Sequence, residues 1–471
     1  MDSEGHLLAG EKRDLRRGAW QILTGSGSRM FARVLLIAFV ARVYGIDDFG
    51  RLGEAVAMLE LLAAFATFGL TKTLLGNLGA ITPPGTTPVI DPGKHIFDAL
   101  ALVTAVSAVI MAILWAVWPY LLPSSLSGSQ FLMLGIPLIA LTEVATTATR
   151  HFRTVFWDTL VKAFVKPWSF LLLGILSYFA VRGFTMPSGH VITSEQALLI
   201  AYVGSLLLSA IIALLAMGKS FAQQSRRLAT LPTIAGVFGL ARSSWPIALN
   251  ETGVFAFRRA DILLLAAVAG PTATGIYYLA QQIGTVAGKV RHLYEPMLAP
   301  IIAQSKSLDT IGEHLRRLTL FIFTIQMVVI TVFVIFGGSV LELLGAGFAA
   351  GITVVIIILI GELMEGSFGL AELVMVYRNP ALPPRQVVFT LALEIVLVWY
   401  LAASYGALGA AVGFAASMTA LAAMRIFMVR RLYGLRILGW RHLAILAAAV
   451  VIWLAASPFM PVFANLGMTS Q

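Results

Sequence analysis

The chain has 471 residues, 59% hydrophobic and 12% charged, with a formal charge of +10 and a mean hydropathy of +0.88. Soluble chains average about 25% charged residues, so this balance excludes an ordinary soluble domain. The absence of cysteine excludes disulfides, thiolate metal sites, iron–sulfur clusters and cysteine nucleophiles. The positive charge does not point to nucleic acid, because the basic residues lie where membrane topology puts them.

Residues 1–18 are polar and carry Lys12, Arg13, Arg16 and Arg17. No small-residue cleavage site follows the first apolar stretch, so the expectation is a cytoplasmic tail leading into an uncleaved first helix. Apolar runs then predict helices over roughly 19–44, 51–78, 96–118, 130–150, 157–182, 196–217, 243–268, 275–300, 318–337, 351–377, 386–404 and 408–429. Alternating ten-residue strands are absent, which argues against a barrel. The fold class read from this pattern is all-α, a polytopic transmembrane helix bundle. The stretch 443–464 is long enough to span but holds Pro458 and Pro461, so it reads as a thirteenth helix or a bent tail.

Lys and Arg collect in the N-terminal tail and in every second connection: Lys94; Arg150 and Arg153; Lys219, Arg226 and Arg227; Lys306, Arg316 and Arg317; Arg378 and Arg385; Arg430, Arg431, Arg436 and Arg441. Those sides are expected to be cytoplasmic. The longest cytoplasmic connection, 218–242, falls near mid-chain. The expected organisation is therefore a tail (1–18), a six-helix N-lobe (19–217), a cytoplasmic linker (218–242), a six-helix C-lobe (243–430) and a C-terminal segment (431–471).

Sliding the chain by 225 residues aligns 33–55 with 258–280 and matches seven of 23 positions, among them Arg33 with Arg258, Gly45 with Gly270 and Gly50 with Gly275. Matches of Ile, Val and Ala in apolar helices carry little weight, whereas two turn glycines and a membrane arginine carry more. An offset spanning an even number of helices makes the repeats parallel, related by a pseudo-two-fold axis along the membrane normal, with a substrate cavity expected between the lobes.

Charges within the apolar runs are the candidate functional residues. Arg29 and Arg33 lie one turn apart on the first helix, Arg258 and Arg259 on the seventh, Lys289 and Arg291 on the eighth. A charge at the bilayer centre is disfavoured by at least about 2.5–3.5 kcal/mol, so such residues face a wet cavity or a partner. Arginine forks and a lysine point charge suit phosphate oxygens, which makes these six the expected diphosphate-binding set. Local acids offer a blander reading, since Asp261 is within helical reach of Arg258, and Glu295 of Arg291. Glu251 precedes Arg258 by one heptad, while Glu362, Glu365 and Glu372 form an acidic stripe on the tenth helix. These six acids are read either as a proton or sodium coupling site or as counter-charges. No nucleophile elbow, phosphate-binding glycine loop or zinc-spaced histidine pair is present, so no catalytic residue, metal site or cofactor is expected.

Several short segments carry a family resemblance: Val40-Ala41-Arg42-Val43-Tyr44-Gly45 with Phe49-Gly50, Arg259-Ala260-Asp261-Ile262-Leu263-Leu264-Leu265, Gly275-Ile276-Tyr277, Glu295-Pro296-Met297-Leu298-Ala299-Pro300, and Tyr405-Gly406-Ala407-Leu408-Gly409-Ala410-Ala411. In their order and spacing the chain resembles the multidrug/oligosaccharidyl-lipid/polysaccharide (MOP) exporter superfamily, in particular its Wzx-type O-antigen and exopolysaccharide flippases. The resemblance implies a MATE-like two-lobed bundle around a cationic cavity. It also implies transport of undecaprenyl-diphosphate-linked oligosaccharide across a bacterial inner membrane, with protons or sodium in exchange. The partners it implies are that lipid-linked glycan, membrane lipids and the polysaccharide polymerase machinery. The alternatives are a drug/cation antiporter, a lipid II flippase and, from another class, a membrane glycan polymerase or ligase; the short outer connections argue against the last.

Overall fold

A computed structural model describes residues 24–25, 27–81, 92–121, 129–151, 155–183, 193–222, 231–304 and 307–456. The tail 1–18, residues 223–230 of the expected linker, and Pro458 and Pro461 lie outside these residues. In chain order the helices are α1 (27–43), α2 (Ile46–Ala66), α3 (Leu70–Ile81), α4 (Pro92–Leu121), α5 (Gly135–Arg150) after a 3₁₀ turn, α6 (Phe156–Thr159), α7 (Lys166–Gly183) and α8 (Ser194–Ala222). They continue with α9 (Ile234–Gln304), α10 (Leu308–Leu344), α11 (Ala346–Ala349), α12 (Ile352–Phe368), α13 (Ala371–Arg378), α14 (Leu382–Tyr433) and α15 (Trp440–Ala456). Seven described helices are long and apolar enough to cross a membrane, or eight when α12 and α13, bent by 45°, form one span. Helix dominates because no water in the bilayer core can satisfy an exposed backbone amide.

At 1.5 Å per residue, the 71 residues of α9 and the 52 of α14 would reach about 106 Å and 78 Å if straight, against a hydrocarbon core of about 30 Å. Each helix is therefore broken: α9 at Gly270 (φ 76°) and α14 at Gly406 (φ 56°). The sequence places helix ends close to both positions. It does not place the break at Phe68 (φ 52°) and Gly69 (φ 70°), which divides the expected helix 51–78 into α2 and α3. There the backbone of Ile247 and Ala248 comes too close to Gly69 to admit a side chain, and Thr73 shares a hydrogen bond with Ser244 at 3.0 Å.

The repeat has a structural counterpart at its turns. Gly45 and Gly270, 225 residues apart, both adopt positive φ (89° and 76°), a conformation that costs glycine little and other L-residues more. Their flanking segments meet reciprocally. A side chain on Gly50 would strike the Pro271 carbonyl, and one on Gly275 would strike the Ile46 carbonyl; Ile46 and Pro271, like Gly50 and Gly275, are matched positions of the repeat. Thr272 donates to Asp47 at 2.5 Å, a pair that is its own match. The two turns thus pack as an isologous contact, residue against counterpart.

The chain divides into two compact units, Met1–Val40 with Ala55–Ala256, and Ala41–Glu54 with Phe257–Gln471. In the first, α8 packs on α5 and α7, and α4 on α5. Between α6 and α7 a π-helical stretch, Leu160–Val165, carries Lys162. In the second unit, α12 lies against α14 and α10, α13 against α14, and α15 against α10. The Gly409 and Gly413 pair lets the two arms of α14 close on each other, Gly409 against the Leu401 carbonyl and Gly413 against Val398, the small-residue packing expected of membrane helices. Large apolar side chains such as Val328, Val332 and Phe336 on α10 and Leu443, Leu446 and Val450 on α15 stay exposed, as a lipid-facing surface requires.

Gly275→Val is expected to destabilise the protein by about 1–3 kcal/mol through overpacking against the Ile46 carbonyl. Thermal unfolding in detergent, read against Gly253→Val, whose position has open space, checks this; equal melting temperatures would contradict the close turn contact.

Candidate functional site

In the second unit the membrane charges form one buried network. Arg291, on the second arm of α9, is 7% exposed, and Arg425, on the second arm of α14, is 3% exposed. Arg291 Nη1 bonds to Glu365 Oε1 of α12, its Nη2 lies 3.5 Å from Glu372 Oε2 of α13, and its Nε lies 3.9 Å from Glu295 Oε2. Arg425 Nη2 donates to Glu372 Oε2 at 2.5 Å, and its Nη1 reaches Glu365 Oε1 at 3.4 Å. Glu365 and Glu372 are each shared by the two guanidinium groups. Gly369, at the bend between α12 and α13, leaves the space that the Arg291 guanidinium occupies.

The rest of the acidic stripe divides by environment. The Glu362 side chain lies against Gly284 and Gly288 of α9, within electrostatic reach of Arg258 and Arg291. Glu295 also meets His292 Nδ1 at 3.1 Å. Asp261 turns into the interior at 1% exposure, where its carboxylate accepts from Tyr277 at 2.5 Å and from Gln281 at 2.8 Å. Glu394, fully buried, has both carboxylate oxygens without a hydrogen-bond partner among the described residues.

Of the six expected phosphate-binding cations, Arg258, Arg259, Lys289 and Arg291 lie in the second unit, and Arg29 and Arg33 in the first. Arg29 and Arg258 are exposed, while Arg33, Arg259 and Lys289 are half-buried. Arg291 is the one deep in the carboxylate network. Glu251 belongs to the first unit and is half-buried. That unit has its own ionic group at the start of α6: Arg150 bonds Asp158 at 2.6 Å, and Lys162 bridges Asp158 at 2.9 Å and Glu143 at 2.7 Å.

Two residues that the sequence reading did not single out are central here, Arg425 and Lys162. Arg425 lies only five residues before Arg430, so it reads as another interfacial cation. Lys162 follows Arg150 and Arg153 closely in the sequence, so it reads as one more basic residue of the same connection. In both cases the one available signal is a charge set a turn or more inside an apolar run.

No protein-family model matches the sequence, and no curated protein matches it. Among solved structures the chain is similar to the lipid II flippase MurJ in an inward closed conformation, with a TM-score of 0.69 and 10% identity over 94% of this chain and 99% of that one. It is also similar to an inward-facing multidrug resistance MATE family transporter of the MOP superfamily, with a TM-score of 0.58 and 12% identity over 89% and 95% of the two chains. A MOP superfamily transporter from Pyrococcus furiosus, whose binding pocket has reverse polarity, gives a TM-score of 0.51 and 12% identity over 90% and 96%. At these identities the likeness is one of fold. The chain has the all-α polytopic fold of the MOP transporters.

Arg425→Met, which leaves Glu365 and Glu372 short of a cation, is expected to cost about 3–5 kcal/mol of stability. Adding Glu372→Gln should recover part of that loss. Unfolding temperatures of the single and double variants in detergent test the coupling; additive effects would mean that the two groups act independently.

Proposed function

We propose that the chain is a flippase that carries a polyprenyl-diphosphate-linked glycan across a bacterial inner membrane by alternating access. The carrying observation is the state of Arg258. It is exposed on a helix of membrane length, while Asp261 is engaged by Tyr277 and Gln281 and Glu365 by Arg291 and Arg425, which leaves Glu362 as the carboxylate within its electrostatic reach. An exposed arginine at that depth is stable in a wet chamber and disfavoured in lipid. Arg29 is exposed near the start of α1 in the first unit. In the second unit, the guanidinium and ammonium groups of Arg258, Arg259 and Lys289 would grip diphosphate oxygens with charge-assisted bonds; Arg29 and Arg33 are the cations of the expected set that the first unit carries. A proton or sodium ion moving in exchange would use carboxylates not tied to arginine, Glu362 foremost.

The fold likeness to a lipid II flippase supports lipid II as cargo better than the longer oligosaccharides of the Wzx-type branch, which rest on short sequence motifs. Both cargoes present the same diphosphate to the protein. The drug/cation antiporter reading draws on the MATE likeness, but an organic cation would meet Arg258 and Arg29 with like charge.

In proteoliposomes, fluorescent lipid II and a fluorescent diphosphate-linked oligosaccharide are offered in the outer leaflet, and translocation is read by chemical quenching. Wild type is expected to move at least one of them, and Arg33→Gln and Arg258→Gln to lower the rate by about tenfold or more, a loss of about 1.4 kcal/mol, with membrane insertion unchanged. Export of an organic cation with no lipid movement would replace this reading by the antiporter.

A further inference from the structure

We infer that a basic cavity between the N-terminal ends of α10 and α15 binds the phosphate of an anionic glycerophospholipid from the cytoplasmic leaflet. The cavity has a volume of about 370 Å³, and its wall includes Arg316, Arg317 and Leu320 of α10 and Trp440, Arg441 and His442 of α15. Glu313 is the acid facing these three arginines. It meets Arg317 at 3.4 Å, but both side chains are largely in solvent, where an ion pair is weak and screened. The cavity therefore keeps a net positive charge.

His442 makes the cavity more than a charged surface. It is 3% exposed, with its ring against Phe323 and Phe368. Its Nδ1 accepts from the Gly439 amide at 3.3 Å, which selects the neutral tautomer with its proton on Nε2. That Nε2 is buried and has no hydrogen-bond partner among the described residues. A buried donor left so needs an acceptor. The first turn of α15 adds the positive end of a 17-residue helix, which favours an anion. Arg441 stacks over Trp440, 5.9 Å from the ring centroid, a pairing that suits the membrane interface.

The ligand is a lipid because exposed apolar side chains continue along both helices from the cavity. Above Leu320, Phe321 and Val328 of α10 and Leu443, Leu446 and Val450 of α15 are exposed, so a phosphate held at the helix ends would run its acyl chains along both helices. Both helix ends also lie in connections that the Lys and Arg distribution assigns to the cytoplasmic side, and basic pockets between membrane helices on that side take anionic headgroups. This inference does not rest on the transport reading.

The test is lipid retention by the full chain in detergent, measured by native mass spectrometry with phosphatidylglycerol, phosphatidylethanolamine, undecaprenyl phosphate and inorganic phosphate as probes. Wild type is expected to retain phosphatidylglycerol over phosphatidylethanolamine. In R316Q/R441Q, whose substituted side chains are exposed, that affinity should fall about thirtyfold, roughly fivefold for each basic residue lost. His442→Phe should weaken it too, with melting temperatures checking the fold of each variant. Equal retention by wild type and R316Q/R441Q would overturn the proposal. Displacement of phosphatidylglycerol by millimolar inorganic phosphate would overturn it in favour of a free-anion site, and displacement by undecaprenyl phosphate in favour of a carrier-lipid site.

Discussion

Charge held away from water governs the second unit. Arg291 and Arg425 are almost fully enclosed, and the interior supplies no solvent to spread their charge, so their carboxylate partners must come from the protein. Glu365 and Glu372 do this from two helices. They are seven residues apart, two turns of one face, and both still point at the same arginines across the 45° bend between α12 and α13. The bend, Gly369 and the two acids form one device: the glycine leaves room for a guanidinium, and the guanidinium fixes the angle at which α13 leaves α12. Four helical segments are tied at one level by four side chains.

That tying leaves an uneven distribution of charge along α9. Asp261 is turned inward to neutral donors, Tyr277 and Gln281, and Arg291 is turned inward to acids, whereas Arg258 remains exposed. Counting Arg, Lys, Asp and Glu along α9, α12, α13 and α14 gives ten cations against seven acids. The electrostatic character of a wet surface depends instead on which charges stay out, and here the buried pairing removes acids from that surface along with two arginines.

The sequence made the turns legible because they rest on local requirements. Gly45 and Gly270 need a backbone conformation that few residues tolerate, and Gly50 and Gly275 need an absent side chain, so both pairs match at the 225-residue offset while the four residues between them all differ. The break at Phe68 and Gly69 was hidden because apolar residues continue through it, and hydropathy registers burial in lipid without registering backbone direction. The ionic network was hidden for a different reason. Its contacts join residues 74, 60 and 53 positions apart, and helical spacing predicts only neighbours within a few turns. Spacing gave the Arg291 and Glu295 pair, at 3.9 Å the loosest of the set. It left the acidic stripe open between coupling and counter-charge, a choice that depends on Arg425, whose depth in the membrane no local pattern encodes.

Helix α15 extends the same reasoning to the lipid interface. Of its described side chains only His442 and Ala449 are buried, so packing against protein contributes little to holding it. Two polar groups mark where it meets α10: His442 against Phe323 at the basic end, and Trp453, whose indole donates to Thr331 at 3.2 Å, further along. In hydrocarbon a hydrogen bond of that kind has no water to compete with and sets the helix's rotation. At the basic end the corresponding group is a buried imidazole donor without an acceptor among the described residues, flanked by arginines. A lipid phosphate there would supply the missing acceptor and neutralise the arginines at once, making the bilayer itself the element that fastens α15 to α10.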